Sequence, residues 1–300
     1  MKRRIPFFLV LLLLACQSSL EKQKDGLQKS TDSLSQNFKT YWFDGTAEIS
    51  SYALQQSRYG ALRQGKAVLI YVTEDFLIEQ QVKANQKSKA SQTILKLNRQ
   101  KNFLTGIYPY SIMSSSFIYL GWEPHLAKIT ASLQEWCGQS YLQLNQKNQM
   151  VLQSHSYFEG EEDQILRFPK GTLTEDELWN RIRLHPKKLP IGSFQLLPSL
   201  ELVRLNHWPL ETVPATAQLT QNDSISTYAL QFPSMKRSLT IRFQTQSPHR
   251  IEGWEDRSDK GANYTTSATR LETKKLPYWK LNRPGDEHYR SELKLNSESP

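Results

Sequence analysis

The sequence predicts a mainly β protein: a large curved antiparallel sheet, a sandwich or a partly open barrel, with one short helix near residues 175–184. Three observations predict it. Apolar and polar residues alternate over short runs separated by Gly, Pro and Asn, as half-buried strands require. Seven Trp, thirteen Tyr and twelve Phe in 300 residues give a core to build, which disordered chains lack. One capping box stands before one stretch of helical spacing.

Residues 38–76 carry aromatic and β-branched side chains broken by Gly45, Gly60 and Gly65. Within them, residues 66–73 read KAVLIYVT, with Val68, Ile70 and Val72 on one face and Ala67, Leu69 and Tyr71 on the other. A strand apolar on both faces belongs in the middle of a sheet that is covered twice. Residues 126–133, 138–144, 150–158 and 218–232 are half-buried in character. Residues 238–244 alternate cleanly, with Leu239, Ile241 and Phe243 directed inward and Ser238, Thr240, Arg242 and Gln244 outward. The exception is Thr174, Glu175, Asp176 and Glu177, a capping box in which Thr174 accepts from the amide of Glu177 and Glu177 reaches back. Leu178, Trp179, Ile182 and Arg183 follow at helical spacing, and Pro186 stops the run. Pro186, Pro190 and Pro198 then mark a crossing between two halves of the sheet system.

The leader says where the chain is sent. Lys2, Arg3 and Arg4 precede an apolar run over residues 5–14. At about 1.5 Å per residue this run covers half of a ~30 Å hydrocarbon core, which fits a signal peptide and not a membrane span. Leu13, Leu14, Ala15 and Cys16 resemble the lipobox of bacterial lipoproteins, which implies that residues 1–15 are removed and Cys16 is acylated. Gln17 in place of Asp resembles the enteric-type signal for the outer membrane. Cleavage removes Lys2, Arg3 and Arg4 and lowers the net charge from +9 to +6. It leaves Cys137 as the one thiol, so no intramolecular disulfide forms. The reading by segment is a signal peptide over 1–15, a flexible tether over 16–37, a single antiparallel β domain over 38–283 and a loose tail over 284–300.

Candidate chemistry is sparse. Trp136, Cys137 and Gly138 lack the second cysteine of a C-x-x-C redox motif, since residue 140 is Ser. The six histidines show no metal-ligand spacing, and the acidic run over 159–163 lacks the alternating oxygens of a calcium loop. No catalytic residue, metal site or cofactor is expected. The diffuse positive charge forms no stripe, so nucleic acid is not expected either. Tyr108, Tyr110, Trp136 and Trp279 are the candidate aromatics of a ligand groove.

The stretches 41–48 (YWFDGTAE), 58–60 (RYG), 105–111 (TGIYPYS), 134–139 (QEWCGQ) and 179–184 (WNRIRL) resemble an uncharacterised family of bacterial lipoproteins whose members are often labelled "septum formation inhibitor Maf". True Maf proteins are α/β nucleotide pyrophosphatases with an N-terminal S-x-S-P-R-type phosphate motif. The nearest match here, Ser247, Pro248, His249 and Arg250, sits near the other end of the chain, so the resemblance carries family membership and none of that chemistry. The expected function is therefore a lipid-anchored, non-enzymatic envelope protein of the outer membrane. It would bind or scaffold an envelope protein on a concave sheet face. The alternatives are a carrier of lipid or another hydrophobic ligand within that concavity, and an envelope hydrolase using Cys137.

Overall fold

Fourteen strands follow one another along a single antiparallel sheet, in an order that the hairpins dictate. The computed structural model describes residues 28–29, 34–123, 125–258 and 265–296. The first run is β1 (Ala47–Arg58), β2 (Ala61–Leu77), β3 (Ser91–Thr105), β4 (Tyr108–Tyr119), β5 (Leu126–Glu135), β6 (Gly138–Gln146), β7 (Met150–Ser156) and β8 (Gln164–Phe168). The chain then crosses through a helix and resumes at the far edge with β9 (Gly192–Leu196), β10 (Val213–Gln221), β11 (Ile225–Phe232), β12 (Arg237–Gln244), β13 (Ile251–Ser258) and β14 (Thr265–Leu276). Last strand pairs with first, Ala268 facing Leu54, so β8 and β9 are the two edges. A two-residue strand, Val82–Lys83, adds to β2, and Gln28–Lys29 pairs with Trp122–Glu123.

The sheet curls without closing. Its two edges meet through one parallel bridge between Thr174 and Leu197, the residues that lead away from β8 and β9. Leu197 donates to the Leu173 carbonyl and Glu175 to that of Leu197, both at 2.9 Å. Short edges tied in this way leave few unpaired backbone groups to recruit a foreign strand.

The helices are α1 (Gln36–Trp42), α2 (Glu175–Leu184), α3 (Leu200–Leu205) and α4 (His288–Glu292). The expected capping box is present on α2 in both directions between Thr174 and Glu177. Nine of the ten α2 residues are buried, because α2 lies within the curl and not against its outside. Leu178, Trp179 and Ile182 join the main core with Tyr52, Leu69, Tyr71, Leu97, Leu230, Leu239, Ile241 and Trp254 from the strands. α1 contributes Phe38 and Trp42 to the same core. The inward alternation over 238–244 holds.

Two boundaries differ from the sequence reading. The tether expected over 16–37 already gives way to α1 at Gln36, where Ser35 accepts from the amide of Phe38. The tail expected to be loose over 284–300 carries α4, and Leu293 is buried against Ile49 and Val68. This second correction explains the doubly apolar β2: Ala67, Leu69 and Tyr71 face α2, while Val68 and Ile70 face the C-terminal segment. The leader and Cys16 lie outside the described residues. Among the described residues no helix is long and apolar enough to cross a membrane.

Candidate functional site

The concave face was expected to bind, but α2 fills it. Four polar side chains of α2 are committed to strands or to a neighbouring helix, while Glu177 pairs with Arg181 and Thr174 of its own segment. Arg183 grips Glu48 of β1 with two hydrogen bonds of 2.7 Å and lies 4.5 Å above the Tyr71 ring. Glu175 receives both guanidinium ends of Arg237 on β12, which also holds Asp256 of β13. Asp176 and Glu201 share Arg99 of β3, and Lys101 completes that group on Glu201. Asn180 donates to the Leu95 carbonyl and accepts from Ser116. Bidentate pairs of this kind fix orientation as well as charge.

Burial and pairing pull these groups in opposite directions. Burial alone would raise the Glu48 carboxyl, but the Arg183 charge, with hydrogen bonds from Arg183 and Tyr41, holds it below the usual glutamate value. Glu201 is lowered in the same way, against its own burial, by Lys101 and Arg99. For Asp176 burial outweighs Arg99, and its carboxyl is raised. α2 is thus a charge-paired plug within the curl of the sheet.

The accessible groove is on the other side of the same strands. Residues 276–295 pass over the outer face of β1–β4 and β14 as a strap and leave a groove of about 590 Å3. The sheet supplies Ile49, Val68, Ile70 and Leu104, and the strap supplies Leu276, Tyr278, Leu281, Tyr289, Leu293 and Leu295. Gly65 lies in the floor because β2 and β3 press together there: a Cβ would sit 2.3 Å from the Asn102 carbonyl oxygen. The strap is held by Leu293 and by the ion pair of Lys274 with Glu292 at 2.6 Å.

Two cations face this apolar space, Lys66 from β2 and Arg290 from α4. Neither has a carboxylate partner among the described residues. Asp286, also at the groove, accepts from the amide of Arg283. Apolar walls with a few convergent polar groups are the usual form of a small-molecule site.

Three of the four sequence-predicted aromatics come together. Tyr108 stacks on Trp136 with centroids 6.2 Å apart and lies 5.9 Å from Tyr110, which is buried. Tyr59 joins them, its hydroxyl 2.9 Å from that of Tyr110, with Arg58 donating to both. Burial and the Tyr59 contact push Tyr110 up; burial would raise Tyr59 too, but hydrogen bonds from Tyr110 and Tyr108 and the Arg58 charge lower it. Tyr110 also borders the groove. Trp279 is elsewhere, on the strap, edge-on to Tyr278 at 5.4 Å; it is Tyr278 that faces the groove. Lys66, Arg290 and the strap leucines were missed as site residues because nothing in the sequence says that residues 276–295 fold back over β2.

The thiol and the histidines offer little catalysis. Cys137 is exposed at a hairpin tip, and its pKa is raised, chiefly by its hydrogen bond with Glu135, the wrong direction for a nucleophile. His155 pairs with Asp163 at 3.0 Å and His207 with Glu161 at 2.9 Å. Within the acidic turn at 159–163, Glu161 is buried and also faces Arg204 at 3.4 Å. His125 is 9% exposed beside Glu123, and burial lowers its pKa. Among the described residues no three His, Cys, Asp or Glu side chains are placed to hold a metal ion.

Comparison with known proteins finds likeness in structure and not in sequence. No protein-family model matches the chain, and no curated protein does. A beta-barrel-like protein of domain of unknown function DUF1849 from Brucella abortus is similar in structure at 9% identity and a TM-score of 0.46. The match covers 77% of this chain and 98% of that one.

Proposed function

We propose that the chain is a lipid-anchored, non-enzymatic protein of the cell envelope, tied to the outer membrane through Cys16, that carries an amphipathic anion in the groove beneath the C-terminal strap. The ligand would be an acyl chain ending in a carboxylate or phosphate. One observation carries the reading: a groove with leucine, isoleucine and valine walls faces two cations with no acidic partner among the described residues. Lys66 is part-buried and Arg290 exposed, so both charges are within reach of an anionic headgroup whose tail covers Val68, Ile70 and Leu293. The filled interior moves the carrier idea from the concave to the outer face.

Two measurements test this. Palmitate labelling of wild type and Cys16→Ala tests the anchor; equal incorporation overturns it. For the ligand, the full chain in detergent is titrated with dansyl-undecanoic acid. Binding is expected to weaken roughly ten-fold or more in Lys66→Glu with Arg290→Glu, about 1.4 kcal/mol or more. No binding by wild type, or equal binding by both, overturns the carrier reading.

A further inference from the structure

The hairpin tips at one end of the first run of strands are apolar in a way that the groove does not explain. Tyr59 at the β1–β2 turn, Ile107 at β3–β4, Trp136 at β5–β6 and Tyr157 after β7 are 58%, 82%, 68% and 78% exposed. Antiparallel hairpins place these turns side by side at the same end of the sheet. Next to them, on the outside of β5–β7, lies a second groove of about 870 Å3. Its walls mix aromatic rings with hydrogen-bonding side chains: Trp136, Tyr141 and Tyr157 stand among Gln134, Gln139 and Asp163. The Tyr157 ring is seated on Gly138, where a Cβ would lie 2.8 Å from a ring carbon, so its position is built and not incidental.

We infer that this groove binds a neutral oligosaccharide of pyranose rings. An aromatic face carries the negative part of its quadrupole outward and suits the slightly positive C–H faces of a sugar. Side-chain amides and a carboxylate suit the hydroxyls at the ring edge, each of which donates and accepts. A lipid tail has no use for the amides, and an anionic polysaccharide is disfavoured: Glu135 and Asp163 both line the groove. The site is distinct from the groove beneath the strap and does not depend on its ligand.

The test uses the full chain in detergent, with chitotetraose, cellotetraose and maltotetraose as probes, read by tryptophan fluorescence and calorimetry. At least one tetrasaccharide is expected to bind. Its affinity should fall roughly ten-fold in Trp136→Ala and in Tyr157→Ala, and stay unchanged in Trp279→Ala and in the Lys66→Glu with Arg290→Glu chain. Because the substituted rings are exposed, unchanged melting temperatures should show that the variants fold. Failure of all three sugars to bind overturns the proposal, as does an equal loss in Trp279→Ala. Binding of phosphatidylcholine vesicles through Trp136 with no sugar binding overturns it in favour of a membrane contact.

Discussion

The two faces of β2 and its neighbours use charge in opposite ways. On the inner face the cations that hold α2 are paired: Arg183 with Glu48, Arg99 with Asp176 and Glu201, Arg237 with Glu175 and Asp256. On the outer face Lys66 and Arg290 stand beside leucines, and neither is paired with a carboxylate among the described residues. The inner arrangement fixes α2 in one register against strands from both halves of the sheet. The outer one leaves two charges available. Paired burial marks what holds the fold together, and unpaired cations beside apolar walls mark what the fold presents.

The largest effect should come from breaking the inner pairing. Replacing Arg183 with Met leaves Glu48 buried without its main counter-charge, and removing one partner of a buried pair costs about 3–5 kcal/mol. Urea denaturation of Arg183→Met should show that loss, and Arg183→Met with Glu48→Leu should recover much of it. A double variant as unstable as the single one would show that packing, not charge, sets the position of α2.

Acid should separate the carboxylates. Glu48 is held below its unfolded value of about 4.3, so the stability it contributes is present above that pH and is lost as pH falls toward its folded value. Asp176 has the opposite sign: its pKa is raised, so its ionised form weakens the fold at neutral pH and protonation relieves this as pH falls. Denaturation midpoints followed from pH 7 to pH 3 should fall less steeply in Glu48→Gln than in wild type. At pH 7, Asp176→Asn should cost less than Glu48→Gln. The reverse order would mean that Arg99 depends on Asp176 more than on Glu201.

On the outer face the losses should be local. Leu293→Ala deletes a buried contact of the strap with Ile49 and Val68; comparable leucine truncations cost about 2 kcal/mol or more. The strap is one segment laid over a finished sheet, so the loss should appear as faster hydrogen exchange over residues 276–295 and weaker binding of the fatty-acid probe. Equal acceleration throughout the sheet would show that the strap is part of the cooperative core.

How much of this was legible depended on whether the signal was local. The alternation over 238–244, the capping box at Thr174 and the doubly apolar run at 66–73 each state a local requirement, and the structure meets all three. What covers the second face of 66–73 was not legible. The strap's apolar residues, among them Leu276, Tyr278, Leu281, Tyr289, Leu293 and Leu295, are interspersed with charged and polar ones and do not say which face they cover. The interior charges were invisible for a related reason. Arg99, Glu48 and Arg237 each sit at an inward position of a strand, where the pattern alone asks for an apolar residue, and their partners lie 77, 135 and 62 residues away. The aromatic cluster was half legible: residues 105–111 put Tyr108 and Tyr110 together, but only the strand order brings Trp136 and Tyr59 to them.

The smallest effect on stability should accompany a decisive effect on binding. Lys66 and Arg290 make no ion pair among the described residues, so replacing both with Ala removes no intramolecular partner. Surface changes without such partners fall within about 0.5 kcal/mol of zero. Removing two cations from beside Val68 and Leu293 should leave the urea midpoint of the ligand-free chain unchanged or slightly raised, while the fatty-acid probe loses affinity. In wild type, saturating probe should raise the midpoint, because a ligand that binds only the folded state stabilises it; in the double Ala variant that rise should vanish. A loss of more than about 1 kcal/mol of unfolding free energy in the ligand-free variant would show that these side chains serve the strap and not a ligand, and the contrast between the two faces would then be one of packing alone.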